Sequence, residues 1–409
     1  MDGASDNELV VRCMAVRISS AALFPLLLAA SGAIAQTPAP ASAQSVQAPS
    51  AVQTRPGVEK IPLSQPTAER LKARKTSYKV TVTGSDWVDT QLTVAPGDSV
   101  EITATGNVSL SDGRSVTPEG TARGWKDLLR QFPDNSSPAG ALVGRIGNSD
   151  ATVPFDIGAN KTLQVPTSGE LYLRINVSSD LTATGSYSVQ LHLSRQPEKA
   201  TAQAASEESL TNAISPALFA NVPRRVQDQQ GDPGDMVNFA MIGTEDQVKK
   251  AFQNAGWVQV DATKQDAVVH GLIQTLQHQS YLEMPMSTLY LFGRPQDLSY
   301  ARADPITVAA ERHHLRVWKS TETVDGKPLW VGSSTHDIGF EKDQRNNGVT
   351  HKIDPDIDKE RDFIEQSFAA AGNLQAAAYV MPANPLTTAK TATGGSFQSD
   401  GRIVVLLLK

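Results

Sequence analysis

This chain of 409 residues has a single cysteine, Cys13, and it lies in the N-terminal apolar segment. Everything beyond that segment lacks thiols, which excludes disulfides, thiol nucleophiles and thiolate metal sites there. No cysteine follows the apolar run, so a lipoprotein anchor is excluded as well. Basic clusters are missing: 37 Lys and Arg stand against 43 Asp and Glu, for a net charge of −6. That balance argues against nucleic acid and anionic membrane surfaces as partners. After the N-terminal segment no apolar stretch is long enough to cross a bilayer. Leu406-Leu407-Leu408 belongs to a short terminal strand pattern. No His-x-x-x-His pair or other metal-binding spacing occurs.

What is present begins with an export signal over residues 1–35. Arg12 and Arg17 precede the run Ala21-Ala22-Leu23-Phe24-Pro25-Leu26-Leu27-Leu28-Ala29-Ala30, and Ala33-Ile34-Ala35 supplies small residues for cleavage. The acidic start (Asp2, Asp6, Glu8) is unlike such a signal, which leaves Met14 as a second candidate initiator. An exported chain without disulfides fits a bacterial periplasmic or secreted protein. No transmembrane span remains after cleavage. Residues 36–76, with an Ala-, Pro-, Gln- and Ser-rich start, are expected to be a disordered tether.

Residues 77–195 carry short period-two runs between turn signals. Examples are Tyr78-Lys79-Val80-Thr81-Val82, Leu171-Tyr172-Leu173-Arg174-Ile175 and Tyr187-Ser188-Val189-Gln190-Leu191. This pattern predicts an all-β sandwich or jelly roll. Residues 196–221 read as a linker or short helix. Residues 222–409 interleave strands and helices without strict repetition and predict an α+β domain. There, Thr244 is expected to cap a helix carrying Val248, Ala251 and Phe252, and a later helix is expected over about 355–371 with Asp354 as its cap.

Within the first domain stand Pro96-Gly97-Asp98, Thr117-Pro118-Glu119-Gly120, Gly140-Ala141-Leu142-Val143-Gly144-Arg145-Ile146-Gly147-Asn148-Ser149 and Gly185-Ser186-Tyr187-Ser188-Val189. In that order they resemble the galactophilic PA-IL-type lectin domain over roughly 78–193. The resemblance implies a β-sandwich in which calcium bridges protein and sugar hydroxyls. The matching loop, Asn176 to Gly185, has Val177 where the family has Asp, and only Asn176, Asp180 and Thr182 remain as oxygen donors. Phe132-Pro133-Asp134-Asn135 stands where the family has a sugar-contacting His-Pro-Asp-Gln. Calcium is therefore not expected in this domain. Asp134, Asn135, Asn176 and Asp180 stay as ligand-binding candidates, against a scaffold that has lost the site. Trp87 and Trp125 can stack on a sugar or simply pack.

Five of the seven histidines fall between 278 and 351. Arg312-His313-His314-Leu315-Arg316-Val317-Trp318, Gly332-Ser333-Ser334-Thr335-His336-Asp337 and Thr350-His351-Lys352-Ile353-Asp354-Pro355-Asp356, together with Tyr290-Leu291-Phe292-Gly293-Arg294-Pro295 and Asp400-Gly401-Arg402, resemble the LssY C-terminal domain family over about 222–407. That resemblance implies a bacterial envelope setting and no established activity. Strand alternation puts His314 and Arg316 on one face. His314, His336, Asp337 and His351 are expected to converge as a candidate catalytic cluster, with Arg316 and Arg361 placed to hold a phosphate. A divalent metal there is one open reading, acid–base chemistry a second, and a structural network a third. Ser333 and Ser334 lack a nucleophile elbow. The whole reads as an envelope protein that binds or organises a carbohydrate or lipid-linked component, with a His/Asp or metal-dependent hydrolase of an envelope lipid or phosphoester as the alternative.

Overall fold

The computed structural model describes residues 57–63, 76–195, 197–260, 286–303, 311–342, 349–392 and 394–409. The expected export signal and most of the expected tether lie outside them. Residues 77–194 form two antiparallel sheets. One runs Ser77–Thr83, Ala183–Ser194, Ser99–Leu110, Ser115–Val116, with Asn160–Gln164 also paired to Ser99–Leu110; the other runs Val88–Val94, Gly169–Ile175, Leu142–Ile146, Phe155–Asp156. The alternation is literal. Tyr187, Val189, Leu191 and Leu193 point inward from one long strand, and they share a core with Leu142, Leu171, Leu173 and Ile175 of the opposite sheet. This is the expected sandwich.

The C-terminal domain is built on one large, mostly antiparallel sheet. Its strands are β1 (Val58–Ile61), β2 (Pro233–Ile242), β3 (Leu298–Ala303), β4 (Glu311–Val324), β5 (Lys327–Lys342), β6 (Val349–Ile353), β7 (Leu374–Val380) and β8 (Ile403–Leu408), with spatial order β1–β7–β8–β2–β5–β4–β3. Only β2 and β8 run parallel among these neighbours. β6 pairs with the far end of β5. β1 lies inside the stretch read as a tether. Its alternating apolar residues instead extend the sheet edge, with Val58 opposite Val380. The tether reading is corrected for these four residues.

Helices cover both faces of the sheet. The α1 helix (Pro197–Ala213) occupies the expected linker and brings Leu210 onto one face, followed by Ile214, against Ala240, Trp318 and Val331. On the other face α2 (Glu245–Asn254) and α3 (Ile357–Ala370) bury Phe252, Ile364 and Phe368 against Phe239, Leu315 and Leu406. Thr244 caps α2 as expected: its hydroxyl accepts from Gln247 N, and the Gln247 side chain accepts from Thr244 N. The cap of α3 differs. Asp354 N donates to His336 O, which keeps Asp354 tied to the edge of β5, so the helix starts two residues later behind Asp356.

Candidate functional site

The β4–β5 hairpin sets the site. Its turn is Asp325-Gly326, both residues at positive φ (48° and 76°), which suits a two-residue hairpin connection. The register shifts between Lys319 and Thr323, and beyond that irregularity Arg312 opposes Asp337, His313 opposes His336, His314 opposes Thr335, and Arg316 opposes Ser333. Opposed residues share a face, and adjacent residues do not. One face therefore carries Arg312, His314, Arg316, Ser333, Thr335 and Asp337. The reverse face carries His313, Ser334 and His336.

On the first face, the buried Asp337 is the centre. His314 Nε2–H donates to its Oδ1 at 2.8 Å. His351 Nδ1, reaching over from β6, lies 3.3 Å from Oδ2, and Arg312 Nε lies 3.5 Å from the same oxygen. Neither approach is aligned as a hydrogen bond, so Asp337 Oδ2, His351 Nδ1 and Arg312 Nε are all buried without a hydrogen-bond partner among the described residues. Ser333 Oγ, beside Arg316, is in the same condition. Asp337, His351, Arg312 and His314 border a cavity of about 260 Å³ that also meets Arg316, Asp228, Asp235 and Thr350. Arg316 is anchored by Nε donating to Ser287 O.

Burial alone would push the Asp337 carboxyl up. The contact with His314, then the charges of His351 and Arg312, bring it below the ordinary carboxylate range. Burial lowers His351, with Arg312 and His314 adding to the effect against the opposing pull of Asp337. Burial also lowers Arg316. Asp337 is thus held ionised. His351 is held neutral at pH 7, with Nε2 as its second ring nitrogen.

On the reverse face His313 Nδ1–H donates to Glu360 Oε2 of α3 at 2.6 Å, and Ser334 Oγ donates to Glu360 Oε1 at 2.8 Å. His336 stacks on His313 with ring centroids 4.2 Å apart, and Phe363 stacks on the other side at 3.8 Å. Burial and the neighbouring His313 lower His336. The expected foursome is therefore corrected. His314, Asp337 and His351 come together, while His336 lies through the sheet from them, because residues 336 and 337 must point to opposite faces. Arg361 also stands apart. It is buried under Tyr379 and donates to Asp358, Asp362 and Asp400, so its charge is spent inside a structural network. Arg316 lines the cavity, as placed by strand alternation.

In the sandwich, Asn176 is fully buried and cross-braces a loop. Its Oδ1 accepts from Asp134 N, and its Nδ2 donates to the carbonyls of Asp134, Ser137 and Pro138. Asp134 accepts from Ser136 and Ser137, Asn135 accepts from Phe132 N, and Asp180 is bonded to Arg130 and Ser178. Trp125 is exposed beside Lys126. Trp87 is half-buried beneath Arg145.

The residues not singled out beforehand are Arg312, Thr335 and Glu360. Arg312 and Thr335 were readable from the two-residue period that marked Arg316. Glu360 falls on the apolar stripe of α3 between Ile357 and Ile364, where a carboxylate signals a buried partner. Among the described residues, no group of three or more His, Cys, Asp or Glu side chains forms a metal-ligand set.

Fold and site together define a β-rich, two-domain protein with a buried His–Asp–His–Arg cavity in its second domain. Residues 219–403, most of the C-terminal domain, match the family described as LssY C-terminus. No curated protein matches the chain. One solved structure similar to the sandwich is described as "EclA N-terminal domain; PllA-like lectin". It is 22% identical, covers 29% of this chain and 97% of its own, and has a TM-score of 0.21. At that score the sandwich rests on its own strand pairing.

Proposed function

We propose that this is an exported protein of the bacterial envelope whose C-terminal domain binds a phosphate-bearing, lipid-linked or carbohydrate component in the Asp337 cavity. The observation that carries the reading is the convergence of Arg312 Nε, His351 Nδ1 and Asp337 Oδ2, all buried and without hydrogen bonds among the described residues. Each such atom costs about 1–3 kcal/mol unless a partner arrives. A phosphoester offers acceptor oxygens to Arg312, Arg316 and His351, and a hydroxyl on the same molecule can donate to Asp337. Bulk attraction is not the cause, because Asp228 and Asp235 also line the cavity. Matched donors and acceptors are.

Calorimetry with glycerol 3-phosphate, and with glycerol as control, tests the reading. Binding of the phosphate ester alone is expected, with at least a tenfold loss in Arg316→Gln. Binding should strengthen on acidification through the depressed range in which the buried His351 gains a proton. Equal binding of glycerol, or an unchanged affinity in Arg316→Gln, would sink it.

A second reading, phosphoester hydrolysis, is favoured by one feature. Asp337 bonds His314 and lies beside Nδ1 of His351, which leaves Nε2 of His351 as the ring nitrogen turned from the carboxylate. Such a nitrogen can take a proton from water or attack phosphorus directly. Turnover of p-nitrophenyl phosphate that vanishes in His351→Gln while ligand binding survives is the expected signature. No turnover in the intact protein excludes it and leaves the binding reading in place.

A further inference from the structure

A second cavity, of about 380 Å³, lies where the sandwich meets the C-terminal domain. Arg302 of β3 forms the join. Its guanidinium donates to the carbonyls of Asp150, Ala151 and Thr152 of the sandwich and of Ala255 beyond α2, and it lies over the Phe363 ring at 5.1 Å. Those bonds commit Arg302 to holding the domains.

Arg145 and Arg174 on the sandwich wall are in a different state. They come from neighbouring strands, Leu142–Ile146 and Gly169–Ile175, and flank Trp87 at 4.4 and 5.8 Å from its ring centre. Arg145 is more than nine-tenths buried, and Nε of both arginines is buried with no hydrogen-bond partner among the described residues. Arg145 Nη2 donates to Asn148 Oδ1. Neither arginine forms an ion pair among the described residues; Asp150 and Asp86 act on them only from a distance. Burial lowers both pKa values, and Arg145 adds to the effect at Arg174. Two like charges side by side, Arg145 buried and Arg174 partly so, with no ion-pair partner among the described residues, are costly unless something neutralises them. The lining includes the apolar Trp87, Phe132, Pro133 and Pro154, which suit the C–H face of a ring, beside the polar Gln131, Asp150, Thr152 and Ser179.

We propose that this interdomain cleft is a binding site for an acidic sugar, whose carboxylate or phosphate is taken by Arg145 and Arg174 and whose ring lies on the Trp87 side. The cavity exceeds the size of a bare oxyanion. The planar guanidinium fork matches carboxylate and phosphate alike.

Calorimetric titration of the full chain with galacturonate, galactose 1-phosphate and galactose tests this. The first two arms distinguish the source of the charge, and at least one is expected to bind while galactose does not. Arg174→Gln and Arg145→Gln should each weaken that binding at least tenfold. Arg174→Lys, which keeps a charge but not the fork, should fall between. Arg316→Gln, in the other cavity, should leave galacturonate binding unchanged; galactose 1-phosphate also offers a phosphoester to that cavity, so its loss in Arg174→Gln is read in the Arg316→Gln background, which separates the two sites. Thermal unfolding checks that each variant is folded. Equal binding of all three sugars, no binding of either acidic sugar, or undiminished affinity in a folded Arg174→Gln would overturn the proposal.

Discussion

Glu365 shows how one residue can shape the pH response of a domain. It lies on α3, largely buried, and burial together with the neighbouring Asp362 pushes its carboxyl up to about 7. The ordinary value is 4.5. A carboxyl raised in the folded state contributes stability that is fully present below the unfolded pKa and is lost as pH rises through the folded one. The gap corresponds to roughly 3 kcal/mol between pH 4.5 and 7. Glu365→Gln should therefore flatten the alkaline side of the stability profile and raise stability at pH 8 by up to about 3 kcal/mol. Denaturant melts at pH 5 and pH 8 check this, and an equal shift at both would refute it. His336 and His351 act the other way. Their lowered pKa values give stability that is present above pH 6.5 and lost on acidification.

The elements of this chain were largely legible, and the side chains that meet across them only partly so. Period-two runs gave the sandwich and placed β4 and β5 near their true positions. The Thr244 capping box and the apolar stripe of α3 gave two helices. The cluster of four failed at one member because residues 336 and 337 were taken as a block, whereas a strand sends neighbours to opposite sides. Asp354 failed as a cap because its backbone is held by β5, a tertiary contact that no local pattern reports. The close approach of Gly332 to Phe239 was equally invisible. A Cβ at Gly332 would lie 2.0 Å from Phe239 Cζ, and that ring is fully buried in the sheet–helix core. Gly332→Ala should lower stability by about 1–3 kcal/mol through overpacking. An unchanged melting temperature would show that the ring can move aside.

At the scale of the whole molecule, Arg302 joins the two domains through three backbone carbonyls of the sandwich, with a fourth bond to Ala255 in its own domain. Other contacts at the join are smaller, such as Ser149 donating to Gln366. Arg302→Ala should leave both cores intact and uncouple them. Scanning calorimetry is expected to resolve two transitions, or a broader one, in place of a single cooperative unfolding. A sharp single transition identical to that of the unaltered protein would show that the join does not depend on this residue.

The β4–β5 hairpin also limits how this protein can change over generations. Its two strands supply both polar sites at once, one to each side of the same sheet. Substitutions can alter either site independently. Loss or gain of one codon between Arg312 and Arg316 cannot, because it would turn the upstream residues over and send each set of functional groups to the wrong side together. Length variation in descendants of this gene is therefore expected at the Asp325-Gly326 turn and beyond Phe340, and should be absent from the strand segments between.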